Sequence, residues 1–150
     1  MKALKIQLLR DGAILPRRAT AGSAGYDLHA CLEAPVTASP GETVKIPTGL
    51  AIDLGSPDHA AFVFARSGLA IKHGLVPANC VGVIDSDYRG EVLVGLFNQS
   101  SSPYTINPGD RVAQMVILPV LTPELAVCDS LEATQRGDGG FGSTGVGAQG

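Results

Sequence analysis

Apolar and polar positions alternate along the chain in short runs that are separated by turn-forming residues. The runs are rich in β-branched and aromatic side chains, which favour strands. They lie at 3–9, 43–54, 60–65, 80–85, 91–99 and 111–121. Between them Pro, Gly, Asp and Asn supply the fixed or positive φ that tight turns need, at 39–42, 55–58, 87–91 and 107–110. The pattern predicts a mostly β domain.

The run VLVGLF at 92–97 is apolar at consecutive positions, not only at alternate ones. Successive side chains of a strand point to opposite faces, so both faces of this strand are apolar. We therefore expect it to be covered on both sides, within a sandwich or at a subunit interface. The flanking segments 80–85 and 91–99 are further expected to form a β-hairpin around the turn at Arg89-Gly90.

Helical spacing is found in two places. In 123–134, Leu125, Cys128 and Leu131 recur three apart, which is typical of an amphipathic helix. The segment SGLAIKHG at 67–74 predicts one short helical turn, with Ser67 as its N-cap.

Composition narrows the function classes. The chain has 150 residues, which is the length of one domain. Its net charge of −3 argues against a protein that binds duplex nucleic acid, because such proteins carry a strong excess of positive charge. Its three cysteines are odd in number and form no CxxC, so neither a disulfide framework nor a zinc knuckle is indicated. The N-terminal apolar run is too short for a signal peptide or a membrane span, and we expect a cytoplasmic protein without membrane partners.

The C-terminal segment 136–150 differs in composition from the rest of the chain. It has seven Gly in fifteen positions and buries too little apolar surface to offset its backbone entropy. A frayed terminus would have this composition, but Arg136 and Phe141 offer an anion ligand and a stacking face.

Four further segments carry residues that could do chemistry. Asp85 directly follows the apolar run VGVI, where a carboxylate can be oriented and partly desolvated. Small or charged residues with permissive glycines occur at 19–30, 65–74 and 109–115. Taken singly, each segment also fits an ordinary turn, bulge or strand end. No Walker loop, HExxH or Gly-x-Ser-x-Gly motif occurs.

Taken together and in their order along the chain, these segments and the C-terminal one indicate a protein family more specifically than any one of them does alone. AGSAGYDL, RSGLAIKHG, GVIDSDYRGEV, GDRVAQ and RGDGGFGSTG resemble the five motifs of the homotrimeric dUTPases of the bacterial type. The resemblance implies an all-β, jelly-roll-like barrel or sandwich over 1–135, with 136–150 as a flexible lid. It also implies active sites shared among three chains, and an extended segment rather than a helix at 123–134.

The reaction implied is the Mg²⁺-dependent hydrolysis of dUTP to dUMP and pyrophosphate, which limits uracil in DNA and supplies dUMP for dTMP synthesis. Asp85 resembles the carboxylate that activates water for attack on the α-phosphate, and Tyr88 the residue against the sugar. The other roles carried over are the uracil pocket (Asn79, Val83, Ile84, Leu93), the triphosphate contacts (Arg66, Ser67, Gly68, Gln114), an acid near the metal and its waters (Asp27), and the lid (Arg136, Phe141, Gly142, Ser143, Thr144).

Two alternatives stay open at this point. A dCTP deaminase-like enzyme resembles the same fold, although its cytosine chemistry needs a Glu where this chain reads VGVIDSDY. A trimeric nucleotide-binding protein without catalysis could retain the pocket, although an intact Asp85 and lid sequence argue against it.

Overall fold

A computed structural model describes residues 3–140 of the chain. It contains eleven strands and one helix in the described range. They are β1 (Lys5–Leu8), β2 (Tyr26–His29), β3 (Val36–Ala38), β4 (Thr43–Pro47), β5 (Leu50–Asp53), β6 (His59–Phe64), α1 (Ser67–His73), β7 (Leu75–Pro77), β8 (Gly82–Ile84), β9 (Leu93–Asn98), β10 (Tyr104–Ile106) and β11 (Arg111–Pro119). The mostly β prediction is confirmed.

The strands form four antiparallel sheets. One has the order β2-β11-β6-β8 and another the order β4-β9-β7, while β1-β5 and β10-β3 are two-stranded. A single apolar cluster fills the space between them, with Leu28 and Met115 from the first sheet and Ile46 and Leu96 from the second. The arrangement is a jelly-roll-like sandwich, and within residues 3–140 the sheets do not close into a barrel.

The run at 43–54 is divided into two strands that join different sheets. β4 pairs with β9, whereas β5 pairs with β1. The chain turns between them at Gly49, whose φ is +70° and where an added Cβ would lie 2.7 Å from the Ala13 Cβ. Both the conformation and the space require glycine here.

The hairpin expected between 80–85 and 91–99 is not formed. β8 pairs with β6, and β9 pairs with β4 and β7, so the two strands belong to different sheets. The physical reason lies in β9, which is hydrogen-bonded on both edges by other strands and has no edge left for β8. The segment 85–92 therefore connects the two sheets.

The two-faced strand is covered on one side by the core. Val94, Leu96 and Asn98 of β9 are buried, whereas Leu93 on the opposite face is exposed. Within the single chain this second face borders a cavity instead of a packed layer.

The helical elements differ from the sequence pattern in two respects. Segment 123–134 has no regular secondary structure, which contradicts its helical spacing and agrees with the absence of a helix that the resemblance implies. Its apolar side chains are exposed, with Leu125 at 96% and Val127 at 102%. A short helix without a packing surface is marginal in water, and the described chain offers this segment none. α1 forms as expected, but its N-cap is Arg66 without a side-chain cap bond, and Ser67 is its first helical residue. No helix in residues 3–140 is long and apolar enough to cross a membrane.

Asn98 is a fully buried polar residue that joins several segments. Its Nδ2 donates to the carbonyl oxygens of Ala38 at 2.9 Å and Ser102 at 2.8 Å. Its Oδ1 accepts from the Ser100 backbone N–H at 3.0 Å and from the Ser100 hydroxyl at 2.8 Å. The amide thus fixes the turn between β9 and β10 against β3.

We expect Asn98→Ala to lower the free energy of unfolding by at least about 2 kcal/mol, because it leaves buried partners unpaired. Chemical denaturation checks this. The matched control is Gln99→Ala at the adjacent exposed position, which should change the free energy of unfolding by no more than about 0.5 kcal/mol. Equal effects of the two substitutions would contradict the structural role of Asn98.

Candidate active site

A cavity of about 460 Å³ lies between β8 and β9. Six residues singled out from the sequence line it together, four of them uncharged residues of the expected base pocket. They are Asn79, Val83, Ile84, Asp85, Tyr88 and Leu93. The structure thus brings together the whole set expected to hold the nucleoside and activate water.

The local fold explains how Asp85 is placed. Ile84 pairs with Ala61 on β6, so Asp85 is the first residue beyond the paired part of β8. Its backbone carbonyl accepts from the Tyr88 N–H at 3.2 Å, which turns the chain back over the cavity. Within the single chain the Asp85 side chain is exposed, so the partial desolvation expected from the sequence is not present there.

Tyr88 is held across its own turn. Its Oη donates to the carbonyl of Glu91 at 3.0 Å. The ring lies over Gly90, where an added Cβ would overlap it. Glycine at this position is therefore a steric requirement for the orientation of the Tyr88 ring at the cavity.

A second cluster surrounds Asp27 on β2. Arg66 Nε donates to Asp27 Oδ1 at 2.9 Å, and Arg111 Nη1 donates to Asp27 Oδ2 at 3.2 Å. The Asp27 side chain is 17% exposed, so the carboxylate is partly shielded from water and strengthens its hold on both guanidinium groups. A single acid thus orients two arginines side by side.

The remaining members of this cluster follow from the register of the sheet. Gln114 on β11 pairs with Asp27 on β2, and its Nε2 donates to the Ala65 carbonyl at 2.9 Å. A Cβ on Gly25 would lie 2.6 Å from Gln114 Oε1. Glycine therefore allows the backbone just before β2 to lie against the Gln114 side-chain amide. A cavity of about 170 Å³ is lined by the expected set Asp27, Arg66, Ser67, Gly68 and Gln114, together with Arg111.

The sequence did not single out Arg111 as a site residue. Its position at the start of β11, opposite His29, places it beside Asp27 only through the pairing of β11 with β2. Burial lowers the pKa of His29, and the nearby arginines add to this, while Asp27 opposes it. The neutral imidazole leaves the positive charge of the cluster to the arginines.

The two clusters lie at opposite ends of β6. Because Ile84 pairs with Ala61, Asp85 lies opposite Ala60, near the start of β6. Arg66 follows the other end of β6. Six residues of extended chain at 3.3 Å each span about 20 Å. A single chain therefore does not bring Asp85 to the arginine cluster.

The C-terminal residues expected to act as a lid are only partly described. Arg136 is exposed, and its Nε donates to the Gly139 carbonyl at 2.9 Å. It lines neither of the two cavities. Phe141, Gly142, Ser143 and Thr144 lie outside the described residues.

Among residues 3–140 no group of three His, Cys, Asp or Glu side chains could hold a metal ion on its own. Mg²⁺ prefers oxygen ligands and keeps several waters, which suits a site where a substrate provides phosphate oxygens. Each carboxylate oxygen has two lone-pair directions, so Asp27 can accept from both arginines and still bind a water. The donor set therefore fits a water-mediated Mg²⁺.

Comparison with known proteins identifies the family. The dUTPase family model matches residues 11–145. A deoxyuridine 5′-triphosphate nucleotidohydrolase of Desulfitobacterium hafniense is 61% identical over 132 residues, which cover 88% of this chain and 87% of that protein. The enzyme of the same name from Burkholderia lata is 51% identical over 142 residues, or 95% of this chain and 96% of that one.

Solved structures agree with this match. A variant dUTPase of Staphylococcus bacteriophage 80alpha, solved with dUpNHpp, has a TM-score of 0.89 at 28% identity, over 97% of this chain and 100% of that one. A mutant dUTPase of S. aureus phage phi11, whose structure describes the coordination of a structural Mg(II) ion, has a TM-score of 0.80 at 27% identity, over 88% of this chain and 100% of that one. Together with the matched sequence, the shared fold shows that the chain belongs to the dUTPase family, the enzymes that hydrolyse dUTP at its phosphate chain.

Proposed function

We propose that the chain hydrolyses dUTP to dUMP and pyrophosphate through Asp85. The observation that carries this proposal is the position of the Asp85 carboxylate at the rim of the β8–β9 cavity. There it takes a proton from a water whose oxygen bonds to the α-phosphorus. The bond from that phosphorus to the α–β bridging oxygen breaks, and its electron pair leaves with pyrophosphate.

Recognition of uracil follows from the position of β8 at the edge of its sheet. Among residues 3–140, β8 is hydrogen-bonded to a strand on one side only, by β6, so backbone N–H and C=O groups on its other edge remain available to a base. The Asn79 side chain adds a donor and an acceptor at the same cavity. Cytosine would leave a buried donor or acceptor unpaired at a cost of about 1–3 kcal/mol, which gives the pocket its selectivity.

The fixed orientation of Tyr88 supports its role against the deoxyribose. The ring is held over Gly90 by the hydrogen bond from its Oη, so it borders the cavity as a rigid wall. A rigid face in this position leaves no room for a 2′-hydroxyl and favours deoxyribose over ribose.

The arginine cluster around Asp27 is suited to the triphosphate. Asp27 occupies Nε of Arg66 and Nη1 of Arg111, and Arg66 Nη1 donates to the Arg111 carbonyl at 3.4 Å. Among the described residues, Nη2 of both arginines has no acceptor and remains for phosphate oxygens. Ser67, Gly68 and Gln114 line the same cavity and add polar contacts. Mg²⁺, when bound to phosphate oxygens, would neutralise charge on the triphosphate, and Asp27 would hold one of its waters.

The separation of the two clusters supports an assembly in which chains share active sites. A general base must lie within about 2.6–3.2 Å of the proton's heavy atom, so a span of about 20 Å cannot be bridged within one chain. The trimer implied by the resemblance allows Asp85 of one chain to meet Arg66 of another. The exposed apolar side chains of 121–131 also provide surface that neighbouring chains could cover.

The division into a β domain at 1–135 and a lid at 136–150 is part of the same proposal. In it, Phe141 stacks on the base, while Arg136, Gly142, Ser143 and Thr144 close over the terminal phosphates. Closure would exclude water and strengthen the charged contacts at the phosphates.

We expect Asp85→Asn to lower kcat by at least about 100-fold, because the amide cannot accept the proton. Binding of an unreactive dUTP analogue should change little, as measured by calorimetry. The matched control is Asp87→Asn, which removes an exposed carboxylate two residues away that does not line the cavity. Comparable losses in both variants would refute the assignment of Asp85 as the base.

The point of attack is tested with isotope-labelled water. Since the water oxygen bonds to the α-phosphorus, the label should be found in dUMP. Mass spectrometry of both products in a single turnover measures it. Label in the pyrophosphate would place the attack on the β-phosphorus and contradict the proposed geometry.

Sharing of sites between chains is tested by mixing two inactive variants. Asp85→Asn and Arg66→Ala chains, unfolded and reassembled together in equal amounts, should recover activity in about one site in four, because random assembly pairs intact halves at that frequency. Each variant reassembled alone is the control. If both residues acted within one chain, no mixed assembly could hold an intact site and activity would stay absent.

A further inference from the structure

One arginine holds together the loop that carries Asp85 and Tyr88, residues 85–90. Arg89 Nη1 donates to the carbonyl oxygens of Ser86 at 2.8 Å and of Tyr88 at 3.0 Å. Arg89 Nη2 donates to Asp53 Oδ1 at 2.9 Å. The same guanidinium thus closes the 85–90 loop on itself and ties it to the end of β5.

The Asp53 carboxylate, which accepts from Arg89, is itself fixed by further hydrogen bonds. Its Oδ1 also accepts from the Gly55 backbone N–H at 2.9 Å, and its Oδ2 accepts from Lys5 Nζ at 3.2 Å. The Gly55 hydrogen bond, followed by that of Lys5, holds the pKa of Asp53 below its ordinary value. Lys5 and Asp53 are also paired across β1 and β5, so the carboxylate is fixed through the backbone as well.

We propose that Asp53 and Arg89 are positioning residues that set the place of Asp85 for water activation. The proposal rests on the role of Asp85 put forward above. Asp85 is exposed and lies just beyond β8, so its place depends on the loop that follows it. Arg89 fixes two carbonyls of that loop, and Asp53 fixes Arg89.

The ion pair of Asp53 and Arg89 affects the geometry of the 85–90 loop more than the stability of the fold. The side chain of Arg89 is 55% exposed and that of Asp53 is 27% exposed, and ion pairs at such positions contribute little to folding. Within the described chain, neither residue lines the β8–β9 cavity. In contrast, a misplacement of a catalytic group by about 1 Å can reduce a rate by about 100-fold.

Two single variants and their combination test the link. Asp53→Asn removes the charge that holds Arg89, and Arg89→Gln removes the guanidinium that bonds to Asp53 and to both loop carbonyls. Each should lower kcat by about 10-fold or more, because Asp85 is then held less firmly. The dissociation constant of an unreactive dUTP analogue should change by less than about threefold, since the base pocket on β8 and β9 is untouched. The double variant should lose little more than either single one, because both break the same connection.

The matched control is Lys5→Gln. It removes an ion pair to the same Asp53 carboxylate but has no bond to the 85–90 loop. The Lys5 side chain is 78% exposed, and Asp53 keeps its bonds to Gly55 and Arg89 in this variant, so kcat and the melting temperature should equal those of the parent. Hydrogen exchange at the Tyr88 backbone amide, which donates to the Asp85 carbonyl, should become faster in Asp53→Asn and stay unchanged in Lys5→Gln. This measurement reports loop order without relying on turnover.

The outcomes separate this proposal from the one it rests on. Unchanged kcat in Asp53→Asn and Arg89→Gln, with Asp85→Asn inactive, would overturn the positioning role and leave the proposed function intact. Weaker analogue binding in Arg89→Gln, with Asp53→Asn silent, would make Arg89 a direct nucleotide contact and also overturn it. Full activity of Asp85→Asn would refute the proposed function itself.

Discussion

The antiparallel pairing of β6 with β8 is the constraint on which the geometry of the site depends. It occupies one edge of β8, and in the described part of the chain no strand pairs with the other edge, while β9 belongs to the opposite sheet. The gap between β8 and β9 is the cavity. The same register places Asp85 beyond one end of the pair and Arg66 beyond the other. One ladder of hydrogen bonds thus creates the pocket and also separates Asp85 from the arginines.

Charge is organised locally in this molecule. The net charge of −3 would repel a nucleoside triphosphate at long range, yet two carboxylates are used to orient cations. Asp27 holds Arg66 and Arg111, and Asp53 holds Lys5 and Arg89. In both cases an acid that is not itself a phosphate ligand determines where a guanidinium points. For an anionic substrate, this local arrangement matters more than the total charge.

Several exposed parts of the chain are consistent with the proposed assembly of several chains. Among residues 3–140 no layer packs on the outer face of β9, and the apolar side chains of 121–131 are exposed to solvent. Asp85 is exposed in the single chain as well. The proposed assembly would cover the apolar surface and bring Asp85 of one chain to the arginine cluster of another. Burial of apolar surface would then also favour formation of the proposed site.

Local sequence patterns indicated the strand-rich class and the short helix α1, and the ordered motifs indicated the family and eleven of the residues that line the two cavities. These properties are local, because strand periodicity and turn chemistry depend on neighbouring residues. Contacts between distant parts of the chain were needed to show that β8 and β9 join different sheets and that Arg111 and Arg89 meet their acids. Those outcomes depend on pairs such as Asp53 and Arg89, which are far apart in the chain and are brought together by strand pairing, about which local pattern carries no information.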